Sequence, residues 1–126
     1  MIDQQIGKRR WVIAEGYIPS FSTGEGRAFE SHETACLLNA GSVDAQVSIT
    51  LYFADRDPVG PYRVRVPARR TLHLRFNDLS DPLPVPRDTD YASLIESDAP
   101  IVVQHTRLDT RQEALALIST VAFPGE

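Results

Sequence analysis

QVSITLYF, Gln46 to Phe53, decides the fold class, because Val47, Ile49, Leu51 and Phe53 alternate with Gln46, Ser48, Thr50 and Tyr52. Successive side chains of an extended chain point to opposite faces, so this period of two gathers the four apolar residues on one side and marks a half-buried β-strand. Working outward, the same pattern recurs in Tyr62, Val64 and Val66 against Arg63 and Arg65. It returns in Leu72, Leu74 and Phe76 against Thr71, His73 and Arg75. Pro67-Ala68-Arg69-Arg70 lies between these two runs and predicts a hairpin connection.

Arg10 to Tyr17, Glu30 to Asn39 and Pro100 to Arg107 are less regular, but they are rich in β-branched or aromatic residues and bounded by Gly, Pro or Asp, and they read as further strands. Asn39-Ala40-Gly41-Ser42 and Asp55 to Pro61 supply the residues that turns require. Pro82, Pro84 and Pro86 remove ladder donors and forbid helix, so Asp81 to Asp90 is expected to be an ordered loop. The C-terminal run divides: Gln112 to Leu117 holds helix formers, whereas Ile118 to Phe123 favours strand. Short strands without βαβ alternation predict an all-β, antiparallel sandwich or barrel.

A chain of 126 residues with 42% hydrophobic content matches one ordinary domain. Apolar runs such as Ile101 to Val103 are far shorter than the roughly 20 residues of a membrane-spanning helix. The basic N-terminal end, Lys8-Arg9-Arg10, is followed by no apolar stretch or cleavage site, so a cytoplasmic location is expected. The single cysteine, Cys36, excludes an internal disulfide and agrees with a reducing compartment. Its neighbours Ala35, Leu37 and Leu38 suggest a core residue. The net charge of −4 is unevenly spread. Arg63, Arg65, Arg69, Arg70 and Arg75 lie together with no acid among them, whereas Asp78, Asp81, Asp88, Asp90, Glu96 and Asp98 are balanced only by Arg87.

No Gly-x-Ser-x-Gly elbow, phosphate loop, zincin helix or calcium-loop spacing is present, so no catalytic residue, metal or cofactor is expected. His32, His73 and His105 fall on three different strands, without metal-ligand spacing. His32 beside Glu33, and His105 near Arg107, combine donors and acceptors as either a polar ligand site or an internal hydrogen-bond network requires. Trp11 and Glu15 share a face, because i and i+4 are in phase at period two; they suit a sugar-stacking platform, or else a core anchor beside an edge charge. The five arginines admit an anion site, a nucleic-acid patch or a solvated hairpin. Arg63 and Arg75 can flank each other across that hairpin, which calls for an anion or acid between them.

The strings WVIAEGYIP (11–19), SHETACLLNAG (31–41), YFADRDPVGPYRVRVPARRTLHLRFNDLSDP (52–82) and DTDYASLIESDAPIVVQHTRLDTRQ (88–112) resemble the sensory rhodopsin transducer family. The resemblance implies a jelly-roll-like antiparallel β-sandwich, a single domain over residues 1–126 with its core at about 9–123, and assembly as a homotetramer. It turns the C-terminal ambiguity toward a strand from about Leu115 to Phe123. It also implies a non-enzymatic, cytoplasmic sensory module that binds a small polar, sugar-like metabolite.

The expected ligand set is Trp11, Glu15, His32, Glu33, Arg75, Asn77, His105 and Arg107. Two other readings stand beside it. One is a transducer that docks on a membrane photoreceptor, a sensory rhodopsin, through the acidic segment Asp78 to Asp98. The other is weak binding of nucleic acid, DNA, through the basic hairpin of Arg63, Arg65, Arg69 and Arg70.

Overall fold

The decisive alternation becomes β3 (Ala45–Phe53) of a computed structural model that describes residues 5–112 and 116–125. Val47, Ile49 and Leu51 are buried, while Gln46 and Tyr52 face outward. A one-residue slip would expose all three, at about 1.5–3 kcal/mol for each apolar side chain, so burial alone sets the register.

Seven other strands surround it: β1 (Lys8–Gly16), β2 (His32–Asn39), β4 (Val59–Val66), β5 (Arg70–Arg75), β6 (Tyr91–Asp109), β7 (Ala116–Val121) and β8 (Phe123–Pro124). Two single 3-10 turns, Arg27–Phe29 and Phe76–Asp78, are the only helical elements among the described residues. The expected Leu115 start of the C-terminal strand lies outside the described residues. Ala116 to Val121 is strand, because pairing with β6 overrides helix propensity.

All pairings are antiparallel, and β6 belongs to two ladders. Its first half pairs with β1 and β3, giving the order β4-β3-β6-β1-β8. Its second half pairs with β2 and β7, giving β5-β2-β6-β7. The changeover falls between Ser97, the last partner of β3, and Val102, the first partner of β2. Pro100 sits there, where no ladder needs its missing N–H. The fold is therefore an antiparallel β-sandwich whose halves share one long strand. Ala35 and Leu37 from β2, Val47 to Leu51 from β3, and Ile95, Ile101 and Val103 from β6 meet in its core.

Two sequence expectations change. Pro67 to Arg70 is not a hairpin connection: β4 pairs with β3 and β5 pairs with β2, so the turn carries the chain from one half of the sandwich to the other. Arg63 stands opposite Ser48 and Arg75 opposite Thr34, so they do not face each other. Local alternation cannot distinguish a hairpin from an arch, because both need a turn between two half-buried strands. Likewise, the run read as Pro100 to Arg107 is the second half of a 19-residue strand. Its first half was hidden by Ser93, Glu96 and Asp98, which depress strand propensity although Tyr91, Ser93 and Ile95 point inward.

The proline-rich segment is an ordered loop without helix or strand, tied down at several points. Val85 is buried, the Tyr62 hydroxyl donates to the Leu83 carbonyl at 2.6 Å, and the Asp88 N–H donates to Ile18 O at 2.8 Å. Gly16 is required where it stands, because a Cβ there would lie 2.5 Å from the Tyr91 ring.

Candidate functional site

The β2–β6 ladder carries polar residues on both of its faces. Odd-numbered residues of β2 point inward, which places Glu33 in the interior opposite Arg107, with His105 opposite the next inward residue, Ala35. Glu33 is fully buried, and an isolated carboxylate there would be costly by several kcal/mol. Its oxygens are therefore saturated with donors. Arg107 Nε donates at 2.6 Å, the Tyr17 backbone N–H at 2.9 Å, and His105 Nε2 closes on the other oxygen, Oε1. Burial opposes the Arg107 charge, but the adjacent Glu33 carboxylate more than offsets it and raises the Arg107 pKa.

Asn77 braces this centre from outside. Its Oδ1 accepts the Glu33 N–H at 3.3 Å and its Nδ2 donates to Ser31 O at 3.0 Å. Tyr91 packs near the same carboxylate, and burial together with the negative charge of Glu33 pushes its phenol well above the ordinary value. The Tyr91 hydroxyl, Ser93 Oγ and Arg107 Nη2 are buried with no hydrogen-bond partner in the protein. The interior therefore keeps polar capacity that the chain itself does not use.

On the outward face of the same ladder, a shallow cleft of about 410 Å³ is lined by Arg27, His32, Thr34, Cys36, His73, Arg75, Asp78 and Thr106. Cys36 is half-buried on this face rather than in the core expected from its neighbours, because even-numbered residues of β2 point away from the interior. A second cavity, about 450 Å³, lies at one end of the sandwich between Ile6, Asn39, Gly41, Arg69 and Pro100.

The eight expected ligand residues are thus divided. Glu33, His105, Arg107 and Asn77 form the ionic centre with its brace. His32 and Arg75 line the outer cleft. Glu15 is exposed and reaches only Arg107 Nη1, at 3.5 Å. Trp11 is 5% exposed, and its indole N–H donates to the carbonyls of Lys8 and Ile101, each at 3.0 Å. The Trp11–Glu15 platform does not form, because a register irregularity between Ile13 and Gly16 breaks the phase.

The basic patch is also divided. Arg63 and Arg65 lie on β4, with Arg65 bonded to Asp44 at 2.6 Å, while Arg70 lies on β5 in the other half. Sequence reasoning missed Tyr17, Tyr91, Ser93, Arg27 and Thr106. Tyr17 contributes a backbone N–H, which no side-chain pattern signals, whereas the alternation of Tyr91, Ser93 and Ile95 could have pointed to the inward face of β6.

Among the described residues, no group of three His, Cys, Asp or Glu is placed to hold a metal ion, and no helix is long and apolar enough to cross a membrane. The class these features define is a small antiparallel β-sandwich with an ionic centre buried between its halves. The chain belongs to the Anabaena sensory rhodopsin transducer family, whose model matches residues 6–124. A solved structure described as the Anabaena sensory rhodopsin transducer is 62% identical, covering 82% of this chain and all of its own, with a TM-score of 0.76. A crystal structure of Thermotoga maritima 1070 is 34% identical over 97% of this chain and 98% of its own, with a TM-score of 0.84. No match was found among curated proteins. These likenesses favour the transducer reading over the sugar-binding one, on which they carry nothing.

Proposed function

We propose that the chain is a non-enzymatic, cytoplasmic signal transducer that docks on the inner face of a sensory rhodopsin. The observation that carries this reading is the family match across residues 6–124. The docking face we assign is the proline-rich loop, where Asp81 and Asp90 are exposed on either side of Leu83, itself 55% exposed. Two carboxylates flanking an apolar residue suit the basic cytoplasmic loops of a membrane protein. A loop anchored by Val85, Tyr62 and Asp88 also loses little entropy on binding.

The test is binding of the purified chain to a sensory rhodopsin in lipid nanodiscs, at ionic strengths from about 0.01 to 0.15 M, across which the screening length falls from about 30 to 8 Å. Binding that weakens with salt, and is lost in Asp81→Lys with Asp90→Lys, supports the reading. Salt-independent binding, or none at low salt, overturns it.

We also infer assembly as a homotetramer. Every residue of β7 is exposed, including Leu117, Ile118 and Val121, and Phe123 follows at 72% exposure. A strand with apolar residues open on both faces, at the edge of its ladder, suits burial against another copy.

A further inference from the structure

The outer cleft of the β5-β2-β6 ladder is chemically one-sided. Arg27, His32, His73 and Arg75 surround it, Thr34 and Thr106 add hydroxyls, and Asp78 is the only acid in its lining. That acid is already engaged, with its oxygens 3.1 and 2.5 Å from the two terminal nitrogens of Arg27. Arg75 uses Nη2 on the carbonyls of Arg27 (2.9 Å) and Glu30 (3.5 Å), and its side chain is only 13% exposed. Glu30 stands 3.6 Å away as a looser partner. The Nε–H of Arg75 is buried and meets no acceptor. A buried guanidinium N–H without an acceptor is unfavourable, so Arg75 keeps a donor that no group of the chain uses.

His32 is oriented in the same sense. Its Nδ1 lies 2.8 Å from Glu30 O, and a carbonyl only accepts, so Nδ1 carries a proton, and Nε2 donates to a further partner only when the ring is doubly protonated. Desolvation, then the proximity of Arg27, lowers the Arg75 pKa, because two guanidiniums are held together beside the cleft.

We propose that this cleft binds a small metabolite bearing a phosphate monoester. Guanidinium donors beside two hydroxyls, joined by histidines that donate as imidazolium, match the several acceptor oxygens and double charge of such a group. The volume of about 410 Å³ leaves room for an organic body larger than phosphate itself. The donors come from β2, β5, β6 and the turn at Arg27–Phe29, so an occupant would bridge four elements. Neither Asp81 nor Asp90 lines this cleft, so variants of the two faces differ in sequence and the two readings can fail separately.

Cys36, the only cysteine, lines the cleft and reports on it directly. Maleimide labelling of the full chain should slow at least about tenfold at saturating glycerol phosphate, and much less with glycerol or succinate. Arg75→Met should abolish the protection, and His73→Ala, at an exposed position, should weaken it. Equal protection by glycerol overturns the proposal, as does protection by succinate alone or protection unchanged in both variants. Protection by inorganic phosphate but not by the monoester overturns it too. Retained protection in Arg75→Lys, with loss in Arg75→Met, supports charge recognition.

Discussion

Glu33 shows how much one residue can carry. Its carboxylate is fully buried, so Arg107, His105 and the Tyr17 N–H take the place of solvent around it. Glu33→Gln keeps the shape but leaves Arg107 without its main partner. We expect a loss of about 3–5 kcal/mol in unfolding free energy, read from urea denaturation, whereas Glu15→Gln, at an exposed position, should change it by less than about 1 kcal/mol. Gly16→Ala should be destabilising by about 1–3 kcal/mol, because its Cβ meets the Tyr91 ring and the packed core gives little room. The candidate site was partly legible at this scale. Glu33, His105 and Arg107 stand out as polar residues in apolar strands, but the sequence does not say that they meet. Trp11 misled for the opposite reason: its ring is as useful in a core as on a platform, and only its burial chose between them, while the break in register after Ile13 turned Glu15 away.

At the scale of elements, β6 organises the molecule by serving both ladders, and β7 is the strand its second half leaves open on one side. Leu117 pairs opposite Leu108 and Val121 opposite Gln104, so both project from the same face of β7. If this edge is buried between copies, Leu117→Asp with Val121→Asp should shift the species seen by light scattering from tetramer to dimer or monomer. The far-ultraviolet circular dichroism of the variant should stay that of a β protein. An unchanged mass would assign the assembly to another face. Most strands could be read from period two, because their alternation is local. The arch between β4 and β5 could not, since the partner of a strand is set by the core it covers rather than by its neighbour in sequence.

Across the whole molecule, acid stability should be set by carboxylates distributed over loops, a 3-10 turn and a strand end. Asp88 is held below the usual carboxylate range by the Ser20 hydroxyl and N–H, and Asp44 by the Ala68 N–H and Arg65. Arg27 holds Asp78 low, and Arg111 does the same for Asp109. A depressed folded pKa stabilises above the unfolded value of about 3.9, and that contribution disappears as pH falls through the lower folded value. The urea midpoint should therefore drop steeply below about pH 4. Asp88→Asn should start lower at neutral pH and fall less steeply, and an equal slope in the variant would exclude Asp88 from the effect. By itself, the sequence determined the fold class and the family, because alternation and long contiguous strings are properties of the chain in order. Only the tertiary structure decided which polar residues share a site. The two ladders bring Arg107 to Glu33 and Arg75 to His32 across many residues of chain, and that proximity follows from strand pairing and burial rather than from spacing.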